Sequence, residues 1–160
     1  MKKYLFITLI LIATACKRNA TSNAEISNLP EFNFMLIDSA TIVSSDKIAG
    51  GTKLFIMYFR PDCEHCQLET RNIIKNLNQI NSKILLLTPA PFGELKTFYK
   101  DFDLASYQRI MIGSDYDYSF LKKFKPKGVP YMAIYDSGKK LKKLYVGETD
   151  FQLVLKEIKS

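Results

Sequence analysis

The spacing of apolar positions along the chain predicts its elements before any chemistry is considered. Phe32, Phe34 and Leu36 alternate with Asn33, Met35 and Ile37, the two-residue period of an opening strand. Thr41-Ile42-Val43 can pair with it across a turn at Asp38-Ser39. Gly50-Gly51 then breaks the chain before Leu54-Phe55-Ile56-Met57-Tyr58-Phe59. An uninterrupted apolar run of that length, closed by Pro61, reads as a central strand buried on both faces. Cys66, Thr70, Ile73, Ile74, Leu77 and Ile80 follow at mostly three- and four-residue steps, so they share one face of a helix. Ile84-Leu85-Leu86-Leu87 is a second buried strand, stopped by Thr88-Pro89. Residues 94–102 read as a helix with Leu95, Phe98, Tyr99 and Phe102 on one stripe. A short strand at 109–112 and a short helix at 118–124 come next. Val129-Pro130 leads into a strand at 131–135, and Asp136-Ser137-Gly138-Lys139 is a hairpin signal before its partner at 141–146. Residues 148–158 close the chain as a helix with Phe151, Val154, Leu155 and Ile158 facing inward. The order β–β–β–α–β–α–β–α–β–β–α predicts an α/β fold with mixed strand directions.

The first residues follow a different rule. Met1-Lys2-Lys3 is a short positive start, and residues 4–15 are apolar apart from Thr8 and Thr14. A spanning helix needs roughly 20 apolar residues, so this stretch fits a secretory leader instead. It runs through Ala13-Thr14-Ala15 into Cys16. Small residues followed by cysteine resemble the lipobox of bacterial lipoprotein signals, with Ala13 standing where Leu is usual. The resemblance implies cleavage after residue 15 and a diacylglycerol on Cys16, holding the chain to a bacterial membrane outside the cytoplasm. Simple secretion and a retained anchor are the alternatives. Residues 16–30 are mostly polar and read as a lipidated N-terminus and flexible tether, leaving 31–160 as the folded domain.

Composition changes this picture little. A chain of 160 residues accommodates one domain, and 47% hydrophobic residues suffice for a core. Three cysteines are too few for a disulfide scaffold. The net charge of +7 falls to +5 once Lys2 and Lys3 leave with the leader. The remaining lysines are dispersed in pairs, with no arginine-rich or aromatic-interleaved stripe, which argues against a nucleic-acid partner.

The chemistry lies in Arg60-Pro61-Asp62-Cys63-Glu64-His65-Cys66, between the buried strand and the first turn of a helix. Unpaired N–H groups and the positive end of the helix dipole stabilise negative charge there. The thiolate is the attacking form of cysteine, so this position suits Cys63 as nucleophile. Three residues on, Cys66 can close on Cys63 and release a mixed disulfide. A structural zinc site would need about four ligands, and the mature domain offers two thiols with His65 between them. An inert disulfide is the other alternative, although a two-residue spacer gains little loop entropy.

These residues, with the later Gly128-Val129-Pro130, make residues 32–158 resemble the thioredoxin superfamily, particularly extracytoplasmic TlpA- and redoxin-type proteins. The resemblance implies a three-layer sandwich, a mixed central sheet flanked by helices. It implies a cis Pro130 beside the active dithiol, with Val129 across the bond. It implies thiol–disulfide exchange with protein clients and an upstream redox partner, with no cofactor and no resident metal. His65 can favour a Cys63 thiolate, and Glu64 opposes it with negative charge. Glu69 stands where some TlpA-type proteins carry an acid thought to move protons, though a solvated helix carboxylate is an equal reading. Asp62, Met57 and Tyr131 depart from ordinary thioredoxin, which carries Trp, a buried acid and Thr at these places. A peroxidase of the same fold wants Thr where this chain has Arg60. A metal-delivery module wants a second histidine, and His65 is the sole one.

Overall fold

The computed structural model describes residues 24–48 and 50–160; the leader and Cys16 lie outside them. Among the described residues, seven strands and four helices from Asn33 onward follow the predicted order. The strands are β1 (Asn33–Leu36), β2 (Ile42–Ser44), β3 (Lys53–Tyr58), β4 (Ser82–Thr88), β5 (Ile110–Ser114), β6 (Tyr131–Tyr135) and β7 (Leu141–Val146). The helices are α1 (Glu64–Lys75), α2 (Phe92–Asp101), α3 (Ser119–Phe124) and α4 (Phe151–Lys159). They form one sheet in the order β2-β1-β5-β4-β3-β6-β7. The middle strands β3, β4 and β5 are parallel, whereas β1, β2, β6 and β7 join antiparallel.

Both crossovers, β3–α1–β4 and β4–α2–β5, step the same way across the sheet, which places their helices on one face. Phe55, Met57, Ile84 and Leu86 meet Ile73, Leu95, Phe98 and the inward residues of α4 there. The intervening residues Leu54, Ile56, Tyr58, Leu85 and Leu87 point to the opposite face, against α3 and the N-terminal segment. The apolar run at 54–59 is therefore buried from both sides, and the molecule is a three-layer α/β sandwich. Aromatic rings fill the second layer. Phe120 stacks on Phe124 and on Tyr58, with ring centroids 3.9 and 4.7 Å apart. At the β1–β5 junction a side chain on Gly113 would come within 2.8 Å of Met35 O and of Phe34 Cδ2, so glycine lets these strands close.

Two details sharpen the sequence reading. The closing helix begins at Phe151 rather than at residue 148, because the Asp150 side chain accepts a hydrogen bond from Gln152 N and caps it. Residues 24–30, read as part of the tether, contribute to the packing: Ile26 is 2% exposed, Leu29 N donates to Lys139 O, and Ser27 O accepts from Leu141 N. No helix among the described residues is long and apolar enough to cross a membrane.

Candidate active site

The end of β3 delivers Phe59, Arg60, Pro61 and Asp62 to the helix start, and Cys63 is the N-cap of α1. Its backbone carbonyl accepts from Gln67 N at 3.0 Å, while its side chain makes no capping bond and is left for chemistry. Cys63 is partly buried and packs against the core at Cys66, which is fully buried. The two side chains lie within hydrogen-bonding reach of each other as free thiols. Burial pushes the Cys66 thiol far up; the Arg60 backbone N–H pulls the other way, and the neighbouring Cys63 and Asp62 add to the rise. One sulfur is thus reachable and the other is held back as a protonated thiol.

Pro130 enters from the start of β6, whose Tyr131 pairs with Tyr58 at the end of β3. The Val129–Pro130 peptide is cis. Val129 packs against the same apolar cluster as Cys63, and Pro130 O accepts from Gly147 N. That bond brings the loop between β7 and α4 to the dithiol end, so Glu148 and Asp150 join a site whose sequence signal was read only as part of a helix. His65 Nδ1 lies 3.8 Å from Glu148 Oε2, an ion pair when the imidazole is protonated. Glu64 is exposed in the first turn of α1.

Glu69 is 2% exposed, so it is a buried carboxylate rather than a solvated one. Burial raises its pKa; Asn72 Nδ2, 3.4 Å away, opposes this, Asp150 and Glu148 add to it, and His65 lowers it. On the other side of Cys63, Arg60 grips Asp62 through Nε and NH2, both 3.0 Å from its carboxylate oxygens. That bidentate pair holds the Asp62 carboxyl below its ordinary value. A cleft of about 1110 Å³ opens beside this pair between α1 and α2, reaching from Pro61 and Asp62 to Phe102 and Tyr107. It flanks the dithiol without containing either sulfur. Among the described residues no three His, Cys, Asp or Glu side chains converge as a metal site.

No family model and no curated protein matches the chain. Solved structures do. A proposed thioredoxin from Neisseria meningitidis is 25% identical, with a TM-score of 0.66 over 81% of this chain and 85% of that one. A proposed protein disulfide isomerase from Bacteroides thetaiotaomicron is 17% identical, with a TM-score of 0.67 over 83% and 86%. An exposed lipoprotein thioredoxin from Streptococcus pneumoniae is 21% identical, with a TM-score of 0.62 over 81% and 98%. The last two likenesses are of fold alone.

Proposed function

We propose that this chain is a thioredoxin-superfamily protein that exchanges disulfides with protein clients outside the cytoplasm, held to a bacterial membrane by lipid on Cys16. The observation that carries the reading is the unequal pair at the head of α1, a reachable Cys63 backed by a buried, protonated Cys66. In the reducing direction the Cys63 thiolate attacks a client disulfide. One S–S bond forms between Cys63 and the client as the client's second sulfur leaves as a thiolate and takes a proton. Cys66 then loses its proton and attacks the Cys63 sulfur, releasing the remaining client thiol. The client gains two electrons and the chain is left with a Cys63–Cys66 disulfide, which an upstream dithiol partner reduces again. The opposite direction uses the same steps reversed.

The second step needs a base, because burial keeps Cys66 protonated. Glu69 suits that role: it is one turn further along the buried face of α1, and burial makes its carboxylate a stronger proton acceptor than a solvated one. Val129, across the cis bond from Pro130, packs on the apolar cluster that Cys63 also joins, which supports a place for this pair beside the dithiol. The Arg60–Asp62 pair leaves the guanidinium engaged, so a peroxide-stabilising role for Arg60 has no support. The lipid anchor rests on the Ala13-Thr14-Ala15-Cys16 run and the polar stretch after it.

The test is direct. Cys63→Ser abolishes reduction of a disulfide-bonded client, whereas Cys66→Ser accumulates mixed disulfides resolvable by non-reducing electrophoresis and mass spectrometry. Wild-type turnover by either variant overturns the assignment. Mass spectrometry of Cys16 in membranes reports on the anchor separately.

A further inference from the structure

The end of the sheet opposite Cys63 has features the dithiol chemistry does not use. Strand β3 starts there at Lys53 and runs six residues, about 20 Å, toward the dithiol. A cleft of about 440 Å³ lies at this far end, lined by Lys47, Lys83 and Arg109 with Thr52, Asn81, Ser82 and Gln108, and by no carboxylate. Arg109 is fixed in place by donating to the carbonyls of Leu77 and Ile80. Ser82 is 7% exposed, and its Oγ finds no hydrogen-bond partner among the described residues. That hydroxyl is buried and, next to Lys83 on β4, faces the other side of the sheet, so the attraction of the cleft for an anion comes from its basic side chains. The β6–β7 hairpin adjoins the cleft: Lys139 Nζ donates to Asp46 O, next to Lys47, and Lys140 follows. Two carboxylates at this end are engaged, Asp46 with Lys47 at 3.5 Å and Asp136 with the backbone of Gly138 and Lys140.

The described chain also enters at this end. Asn28 bridges to Lys140, and Leu29 N donates to Lys139 O. Only seven residues lie between Cys16 and Ala24, eight chain steps with a reach of about 26–29 Å when fully extended. A lipid on Cys16 therefore keeps this pole, with its lysines, close to the bilayer surface.

We propose that this pole docks on an anionic membrane surface, with the Lys47–Lys83–Arg109 cleft seating a lipid phosphate and the dithiol held facing away from the bilayer. The proposal rests on the anchor reading of Cys16 and is independent of the redox reading. Short-range attraction to anionic headgroups contributes additively for each lysine near the surface and is weakened by salt.

The test uses residues 16–160 with Cys16→Ser, so that no acyl chain contributes, and vesicles of phosphatidylcholine alone or with one third phosphatidylglycerol. The chain is expected to co-float with the anionic vesicles only, and to be released as sodium chloride rises from about 50 to about 300 mM. Combined Lys47→Gln, Lys83→Gln, Lys139→Gln and Lys140→Gln should weaken that binding on the order of 100-fold while reduction of a soluble disulfide is unchanged. Equal binding to both vesicle types, salt-insensitive binding, or unchanged binding by the quadruple variant overturns the proposal. So does saturation of the cleft by inorganic phosphate with no vesicle binding, which marks a site for the free ion. A wild-type chain that docks but reduces nothing overturns the redox reading alone, and an unacylated Cys16 in cells overturns the anchor alone.

Discussion

Cys66 and Glu69 sit one turn apart on the buried face of α1, and burial acts on both in the same sense, favouring the protonated form. For Cys66 this separates the roles of two chemically identical side chains, leaving the partly buried, more accessible Cys63 to attack. For Glu69 it has a consequence for stability. A carboxylate whose folded-state pKa is raised binds its proton more tightly in the folded chain than in the unfolded one. Its contribution is favourable at low pH and is lost as pH rises through the folded-state value. Glu69→Gln should therefore raise Tm relative to wild type near pH 8 and lose that advantage near pH 4, as thermal melts across pH will show. A pH-independent difference would mean that Glu69 is charged and satisfied. The same variant should slow release of the mixed disulfide if Glu69 accepts the Cys66 proton. The dithiol was legible from spacing and position alone. The burial of Glu69 was not, and neither were the charges that act on it, since Glu148 and Asp150 come from a loop some eighty residues away and no local pattern records that approach.

At the scale of elements, apolar runs and breakers carried nearly all the information. Gly50-Gly51 and Pro61 bracketed β3, and the 136–139 turn announced the β6–β7 hairpin, since each restricts the backbone locally. The misplaced start of α4 shows where that logic is incomplete. Asp150 is a good N-cap, but Glu148 and Thr149 before it are also tolerated in a first turn. The observed cap makes a measurable prediction: Asp150→Ala should destabilise the domain by about 0.5–2 kcal/mol in urea unfolding, with Asp150→Asn retaining most of the stability. Equal stability of the alanine variant would mean that α4 is held by Phe151, Val154, Leu155 and Ile158 alone.

For the molecule as a whole, the domain boundary was the least readable quantity. Residues 24–30 are compositionally close to residues 16–23, so a single buried side chain marks where packing begins among the described residues. Ile26 is that side chain, packed on the α3 layer with its carbonyl accepting from Tyr135 Oη at 3.0 Å. Ile26→Ala should cost about 2–4 kcal/mol, and a chain starting at residue 31 should melt at lower temperature than one starting at residue 24. Identical melting of the two would make the segment an ornament of the surface.

That clasp also decides how the molecule carries mechanical load. A pull applied at the N-terminus is met first by the exposed Glu25–Lys125 ion pair, then by Ile26 and by the two backbone hydrogen bonds to Lys139 and Leu141, at the far end of β6 from Pro130. Peeling residues 24–30 away leaves every pairing of β3 with its neighbours intact. The clasp thus works as a fuse, yielding under tension before force can reach the sulfurs.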